Sequence, residues 1–521
     1  MPFVGMSTKD GVSSVNSISA VNGSDPSKIL PLDSLDKGDF QVFDHGHFHT
    51  GKYDPKTFKI SQFHMTTLIY SRSDALRRLD LAEPTAPVSV QVSSESNASN
   101  ICHESMVRGN DFVNQDNSRL VYRVGDCETG AWHLVRLGMS PTTLPIVPPP
   151  AISKVVEGVY NAQTAALDGW IAVEGGTLKR FDPDFALPGR SVLVGSTPVA
   201  VSNKETVAVL SQLADGHTVL VSVDGRVLRY DQSTDQAVVL SDSPGGEIWD
   251  YASDGEALYF FVYTPVFTPS DGTMTLYRMP LTGANSVATE LMKEVAGIRV
   301  TWWVMTTNYF GYVLADKAPD VNGKLLGYKD YQIKMVHKTS GAAPVAVLGP
   351  EGARGLVNIR GVGSKVYVFT MDSTMRANPS MRVIDETNLT SGGTVEAGYR
   401  FAGETYSDVF DATRNIWEIK TLMLQKDRRI VAYDPFLAAV KFNIGQLAVG
   451  ESGVVNLAWA RGHQYGLMTV ASFGSDWGRI FFYDAEKADS LVSVISDSDH
   501  MSVNHKPAAV RQKAGSGPSS R

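Results

Sequence analysis

A short apolar strand that ends in a turn recurs nine times along these 521 residues, and no other feature narrows the possible folds as far. The copies read ALRRLDL (Ala75–Leu81), WHLVRLG (Trp132–Gly138), TLKRFDP (Thr177–Pro183), RVLRYDQ (Arg226–Gln232), TLYRMPL (Thr275–Leu281), QIKMVHK (Gln332–Lys338), SMRVIDE (Ser380–Glu386), RIVAYDP (Arg429–Pro435) and RIFFYDA (Arg479–Ala485). Aligned on Leu79, Leu137, Phe181, Tyr230, Met279, Val336, Ile384, Tyr433 and Tyr483, they stand 58, 44, 49, 49, 57, 48, 49 and 50 positions apart. A period this steady marks a repeat architecture. Asp follows the aligned residue in six copies (Asp80, Asp182, Asp231, Asp385, Asp434, Asp484). An aspartate there can accept from its own backbone and start the turn that leaves the strand.

Apolar runs flank each copy. Around Tyr230 the order is ETVAVLSQL (Glu205–Leu213), Asp215-Gly216, HTVLVSV (His217–Val223), Asp224-Gly225, RVLRYD (Arg226–Asp231) and QAVVLSD (Gln236–Asp242). Asp-Gly between apolar runs signals a tight hairpin, because glycine supplies the positive φ the turn requires. Four antiparallel strands within one period make a propeller blade. Blades stacked face to face in a ring bury both faces of every sheet and leave short, protected edges. The predicted fold is therefore all-β, a β-propeller of about eight four-stranded antiparallel blades, with seven or nine as alternatives. The propeller is expected over residues 40–499, after a flexible Ser/Asn/Asp-rich leader over 1–39 and before a disordered basic tail over 500–521. Closure of the ring calls for an N-terminal strand, for which Phe40–Phe43 and Val12–Val21 are candidates. Gly283–Val295 fits either three helical turns or a fourth strand. No βαβ alternation occurs, which argues against a parallel sheet.

LYRMPLTG (Leu276–Gly283), RVLRYDQST and RIFFYDAEK resemble the blade-ending strands of TolB-like and WD40-like bacterial β-propellers. Trp-Asp occurs once, at Trp249-Asp250, outside the strand end where WD40 repeats carry it, which sets the chain apart from WD40 proper. The resemblance spans most of the chain as a repeat pattern. It implies a propeller, often exported and often binding proteins, and it implies no particular ligand.

Acidic residues outnumber basic ones, 55 to 47, for a net charge of −8, so the broad basic footprint of a nucleic-acid binder is absent. No apolar run reaches the ~18 residues of a membrane helix. The two cysteines, Cys102 and Cys127, fall 25 positions apart in one repeat. They are either a disulfide, which would contribute about 3 kcal/mol, or two free thiols. Their spacing does not suit a structural zinc site. A periplasmic or cell-surface location is favoured, and a cytoplasmic one stays open.

Two constellations invite chemistry. In DHGHFHTGKYD (Asp44–Asp54), His45, His47 and His49 alternate. On a strand, alternate residues face one side about 7 Å apart. Imidazoles so placed can share a zinc or copper ion, with His64, Asp44 or Asp54 completing the set. The competing reading is a polar strand with solvated histidines. Trp249, Trp302, Trp303 and Trp459 lie near blade starts, where they could stack on a planar ligand or a sugar at the channel mouth; tryptophan also fills the packing between blades. Nucleophile-elbow, zinc-protease, Walker and dinucleotide motifs are absent.

Thr264–Thr273 and Ala315–Lys329 lengthen connections between second and third strands, which places both on one rim of the ring. Loops on a rigid scaffold carry binding. The expected function is that of a non-enzymatic scaffold binding a protein or glycan partner through rim loops. The rival is a propeller enzyme, a lactonase, lyase or glycoside hydrolase, with a metal or acidic site at the channel mouth.

Overall fold

The computed structural model describes the strand segments of residues 2–92 and, apart from short stretches between elements, residues 101–495. Phe40–Phe43 and the expected tail over 500–521 lie outside the described residues.

The chain is a succession of antiparallel meanders in which strand order mostly follows the sequence, with a parallel contact where Leu193 stands opposite Gln236. We number the repeats by their aligned residues. Repeat 1 covers 67–91 and repeat 2 covers 101–136. Repeats 3 to 6 cover 152–191, 208–241, 247–295 and 300–351, and repeats 7 to 9 cover 354–397, 399–446 and 451–495. Repeats 3 to 9 each form a four-stranded meander. In repeat 2 three strands are joined by a bridge between Leu134 and Ile146, so the proline-rich connector serves there as a fourth edge. Gly283–Val295 resolves in favour of sheet, with Thr289–Val295 pairing against Thr273–Pro280.

The repeat motif explains this regularity at the level of single residues. In repeat 4, Asp224 and Gly225 both take positive φ, 49° and 80°. That pair makes the mirror-image turn whose twist matches a hairpin. The aspartates after the aligned residue behave alike. Asp182 accepts from Asp184 N at 3.0 Å, Asp231 from Ser233 N at 2.8 Å and Asp385 from Thr387 N at 3.0 Å. Asp434 accepts from Phe436 N at 2.9 Å and Asp484 from Glu486 N at 2.9 Å. Each satisfies a backbone donor that the departing strand leaves without a ladder partner.

Packing follows the same period. The eight aligned residues from Leu137 to Tyr483 are at most 2% exposed. The apolar clusters straddle successive repeats. In one of them, Ile171 and Val173 of repeat 3 meet Val219, Val221 and Tyr230 of repeat 4. The alternate residue of that repeat 4 strand, Leu220, turns the other way to meet Leu258 and Phe260 of repeat 5. A strand buried on both faces in this way cannot stand alone, because half its apolar surface belongs to each neighbour. First strands of successive repeats lie side by side, as in Ile101–Gly109, Ile152–Tyr160, Ala208–Gln212 and Glu247–Ser253. They form the inner wall of a β-propeller.

Residues 2–34, read from composition as a flexible leader, pair as three antiparallel strands, Pro2–Lys9, Val12–Asn22 and Asp25–Ser34. Apolar residues at Val12, Val15, Ile18 and Val21 interrupt the serines and asparagines there. Asp25–Ser34 approaches both Val88–Gln91 of repeat 1 and Val492–Ile495 of repeat 9, so the outermost strands of the first and last repeats share a neighbour. The hairpin of His49–Asp54 and Lys59–Met65 joins repeat 8 through Ile60 opposite Phe410 and Lys59 opposite Asp411.

Candidate binding site on the rim

In a meander, connections between second and third strands emerge at the end of the sheet where the first strand begins. Among the described residues, repeat 6 has the longest third strand, which begins at this end. Its second strand runs Tyr309–Pro319 and its third Leu325–His337, and the pairing continues through Asp316 opposite Lys329 and Lys317 opposite Tyr328 to Pro319 opposite Leu325. The expected insertion at Ala315–Lys329 is thus a continuation of the hairpin itself. Tyr328 also pairs with Leu356 on the first strand of repeat 7, which ties the hairpin to the inner wall.

Beside its base, between repeats 6 and 7, lies a cleft of about 370 Å³. Register assigns its wall. Thr370 stands opposite both Leu356 and Ser380, Ser380 opposite Ala397, and Arg382 opposite Val395. Side chains alternate along each strand, so Thr370, Ser380, Arg382, Val395 and Ala397 share the face turned toward repeat 6. Arg354 joins them from the first strand, and Tyr331 of repeat 6 forms part of the opposite wall. Arg354 donates through Nε to Thr370 Oγ1 at 2.9 Å and through Nη2 to the Asn378 carbonyl. Arg382 donates through Nη1 to the Gly392 carbonyl at 2.8 Å. Thr370 Oγ1 and Ser380 Oγ are 2.9 Å apart.

Several cations elsewhere in the ring meet carboxylates, while buried Arg123 donates to the carbonyl oxygens of Glu128 and, in repeat 3, Ser153. Arg119 and Arg136 share Asp184 at 2.9 and 2.5 Å, Arg180 meets Asp168 at 2.7 Å, and Arg360 meets Glu404 at 2.6 Å. Burial alone would push the Asp184 carboxyl up, but its hydrogen bonds from Arg119 and Arg136 hold it below the usual carboxylate range. The hydrogen bonds of Arg354 and Arg382 go to neutral oxygens, and Asp372 stands opposite Arg354 on the same face of the sheet. Two half-buried guanidiniums and two hydroxyls therefore line one cleft.

The residues singled out in the sequence fall elsewhere. His45 and His47 lie outside the described residues. His49 pairs in backbone register with Met65, and Thr50 with His64; nothing is described of these side chains. Among the described residues no group of histidine, cysteine, aspartate and glutamate gathers to hold a metal. Trp459 lies outside the described residues, and Trp249 is described only in the backbone of Glu247–Ser253. Trp302 packs half-buried against the cluster between repeats 6 and 7. Trp303 packs against the cluster between repeats 5 and 6, stacks on Phe310 at 5.5 Å and donates from Nε1 to Asp250 Oδ2 at 2.8 Å. Cys102 and Cys127 are joined as a disulfide with Cα atoms 5.2 Å apart, linking the first strand of repeat 2 to its second turn. Sequence reasoning passed over Arg354 and Arg382. The available signal was the position of Arg382 two before the aligned Ile384, where repeats 3 and 6 carry Lys179 and Lys334.

No family model matches the sequence. No curated protein matches it either. Solved structures resemble the chain at low identity. One of a eukaryotic initiation factor is 11% identical, with 84% of this chain and 97% of that one covered and a TM-score of 0.41. The Cps50 (Swd1) β-propeller domain of Myceliophteria thermophila is 10% identical over 63% of this chain and 95% of that one, with a TM-score of 0.29. A TolB structure from Agrobacterium tumefaciens is 12% identical over 57% of this chain and 82% of that one, with a TM-score of 0.25. No helix among the described residues is long and apolar enough to cross a membrane.

Proposed function

We propose that this propeller is a non-enzymatic scaffold that binds a protein or glycan partner through the rim where second strands turn into third strands. The observation that carries this reading is the hairpin Tyr309–Pro319 and Leu325–His337, which continues pairing past the sheet and is anchored to the neighbouring repeat at Leu356. A paired hairpin presents its surface with little ordering cost on binding, which favours recognition. The disulfide between Cys102 and Cys127 suits an oxidising compartment such as the periplasm or cell surface.

The test compares the full chain with two variants, one in which residues 316–329 are replaced by Asn-Gly and one carrying Lys317→Glu. Each is used as immobilised bait on a glycan array and against surface proteins of the source cell. A partner held by the full chain and lost by both variants supports the reading. Equal capture by all three, or turnover of an ester or glycoside by the full chain, overturns it.

A further inference from the structure

We infer that the cleft between repeats 6 and 7 is a binding site for a phosphate monoester, held between the guanidiniums of Arg354 and Arg382. The inference stands apart from the rim reading, since a small phosphorylated molecule could fill the cleft with no partner on the hairpin.

The repeat supplies its own control. Two positions before the aligned residue, repeat 1 carries Arg77, repeat 3 carries Lys179, repeat 6 carries Lys334 and repeat 7 carries Arg382. Lys179 Nζ lies 2.5 Å from Glu174, and Lys334 Nζ lies 2.7 Å from Glu294. Both lysines are thereby internal struts. Arg382 has the same place in its sheet but meets the Gly392 carbonyl at 2.8 Å. Arg354 adds a second guanidinium to the same cleft, and its bonds go to Thr370 and Asn378. Asp372 stands opposite Arg354 in register, and the Arg354 hydrogen bonds go elsewhere. Glu396, on the neighbouring outer strand, belongs to the other face, where it accepts from Tyr433 OH at 3.4 Å.

With Asp372 the one carboxylate opposite Arg354 on that face, two guanidiniums leave the cleft a net positive charge, which an anion can balance. Guanidinium forks match the oxygens of phosphate and carboxylate. The two hydroxyls of Thr370 and Ser380 favour the tetrahedral anion. They bond to each other at 2.9 Å, and each can rotate toward a further acceptor. A phosphate group offers enough lone pairs for two forks and a hydroxyl, and a carboxylate offers fewer. The 370 Å³ space leaves room for the group that carries the phosphate, with Val395 and Ala397 on the outer strand supplying apolar contact.

The test is calorimetric titration of the full chain with inorganic phosphate, glucose 6-phosphate and a phosphoserine peptide, against chloride at equal ionic strength. At least one should bind with a Kd below about 1 mM. Tighter binding of the sugar phosphate identifies a small-molecule ligand, and tighter binding of the peptide identifies a phosphorylated partner. Arg354→Gln and Arg382→Gln should each weaken binding by about tenfold or more, the loss expected for a charge-assisted bond. A second measurement needs no variant: phosphate should protect Arg354 and Arg382 from phenylglyoxal, read by mass spectrometry. Absence of binding beyond the chloride control overturns the inference. So does undiminished binding by both glutamine variants, or modification of both arginines at the same rate with and without phosphate.

Discussion

Glu386, at the turn that ends the third strand of repeat 7, accepts a hydrogen bond from Thr306 Oγ1 of repeat 6 at 2.6 Å, across 80 positions of sequence. The same carboxylate accepts from Asn308 N at 3.0 Å and from Asn308 Nδ2 at 2.8 Å, and Glu386 is only 8% exposed. One buried side chain thus completes the first turn of the neighbouring sheet. Glu386→Ala strips three donors of their acceptor inside the interface. A cost of about 1–3 kcal/mol is expected, chiefly from the buried Thr306 hydroxyl, since the exposed Asn308 can turn to water. Urea unfolding should show a lowered midpoint with an unchanged slope. A midpoint within error of the parent would show that the contact is dispensable.

The disulfide between Cys102 and Cys127 closes a loop of 25 positions. Cross-linking a loop of that size restricts the unfolded chain by about 3 kcal/mol. Cys102→Ser with Cys127→Ser should lower the urea midpoint, and dithiothreitol should lower that of the parent to match. A reductant effect on the double variant as large as on the parent would place the sensitivity elsewhere.

The period was legible because propeller strands are buried on both faces, which forces an apolar residue such as Tyr230 or Ile384 at the same place in each sheet. The turn aspartates were legible for a local reason: Asp231 and Asp434 act on backbone within three residues of themselves. Contacts between repeats were not. Trp303 could equally stack on a ligand or on Phe310, and only the fold brings Phe310 and Asp250 to it. Arg382 looked like one more charged strand residue. Its meaning comes from comparison with Lys334, whose carboxylate partner lies 40 positions away. The strands over 2–34 were not legible, because Val12, Val15, Ile18 and Val21 recur every third residue and not every second, as one face of a strand requires.

Gly361 marks a close backbone approach of repeats 6 and 7. A Cβ there would stand 2.3 Å from the Met305 carbonyl oxygen. Main chain in two packed sheets cannot move aside as a flexible side chain would. Gly361→Ala should therefore destabilise by more than the ~1 kcal/mol of ordinary overpacking, and hydrogen exchange should accelerate first in Val300–Met305 and Arg354–Val362. Gly341, whose Cβ would meet nothing within 4 Å, provides the control for open space, although its φ of 66° adds strain of its own. Equal effects at the two sites would remove the argument from close approach.

Asp254 predicts how the ring responds to acid. Burial alone would push its carboxyl up. The Lys338 ammonium at 3.0 Å, with hydrogen bonds from Ala257 N at 2.9 Å and Tyr259 OH at 2.8 Å, holds it below the usual carboxylate range instead. A carboxyl depressed in the folded state takes up protons more readily when unfolded. Its contribution is therefore complete above the unfolded value of about 3.9 and disappears as pH falls through the lower folded value. Asp254→Asn should lower the urea midpoint at pH 7, and the gap between variant and parent should narrow steadily below about pH 4. The turn aspartates Asp231, Asp385 and Asp434 are depressed as well, so the parent should lose stability steeply over that same range. A gap that is as wide at pH 3 as at pH 7 would mean that Asp254 acts through packing and not through its charge.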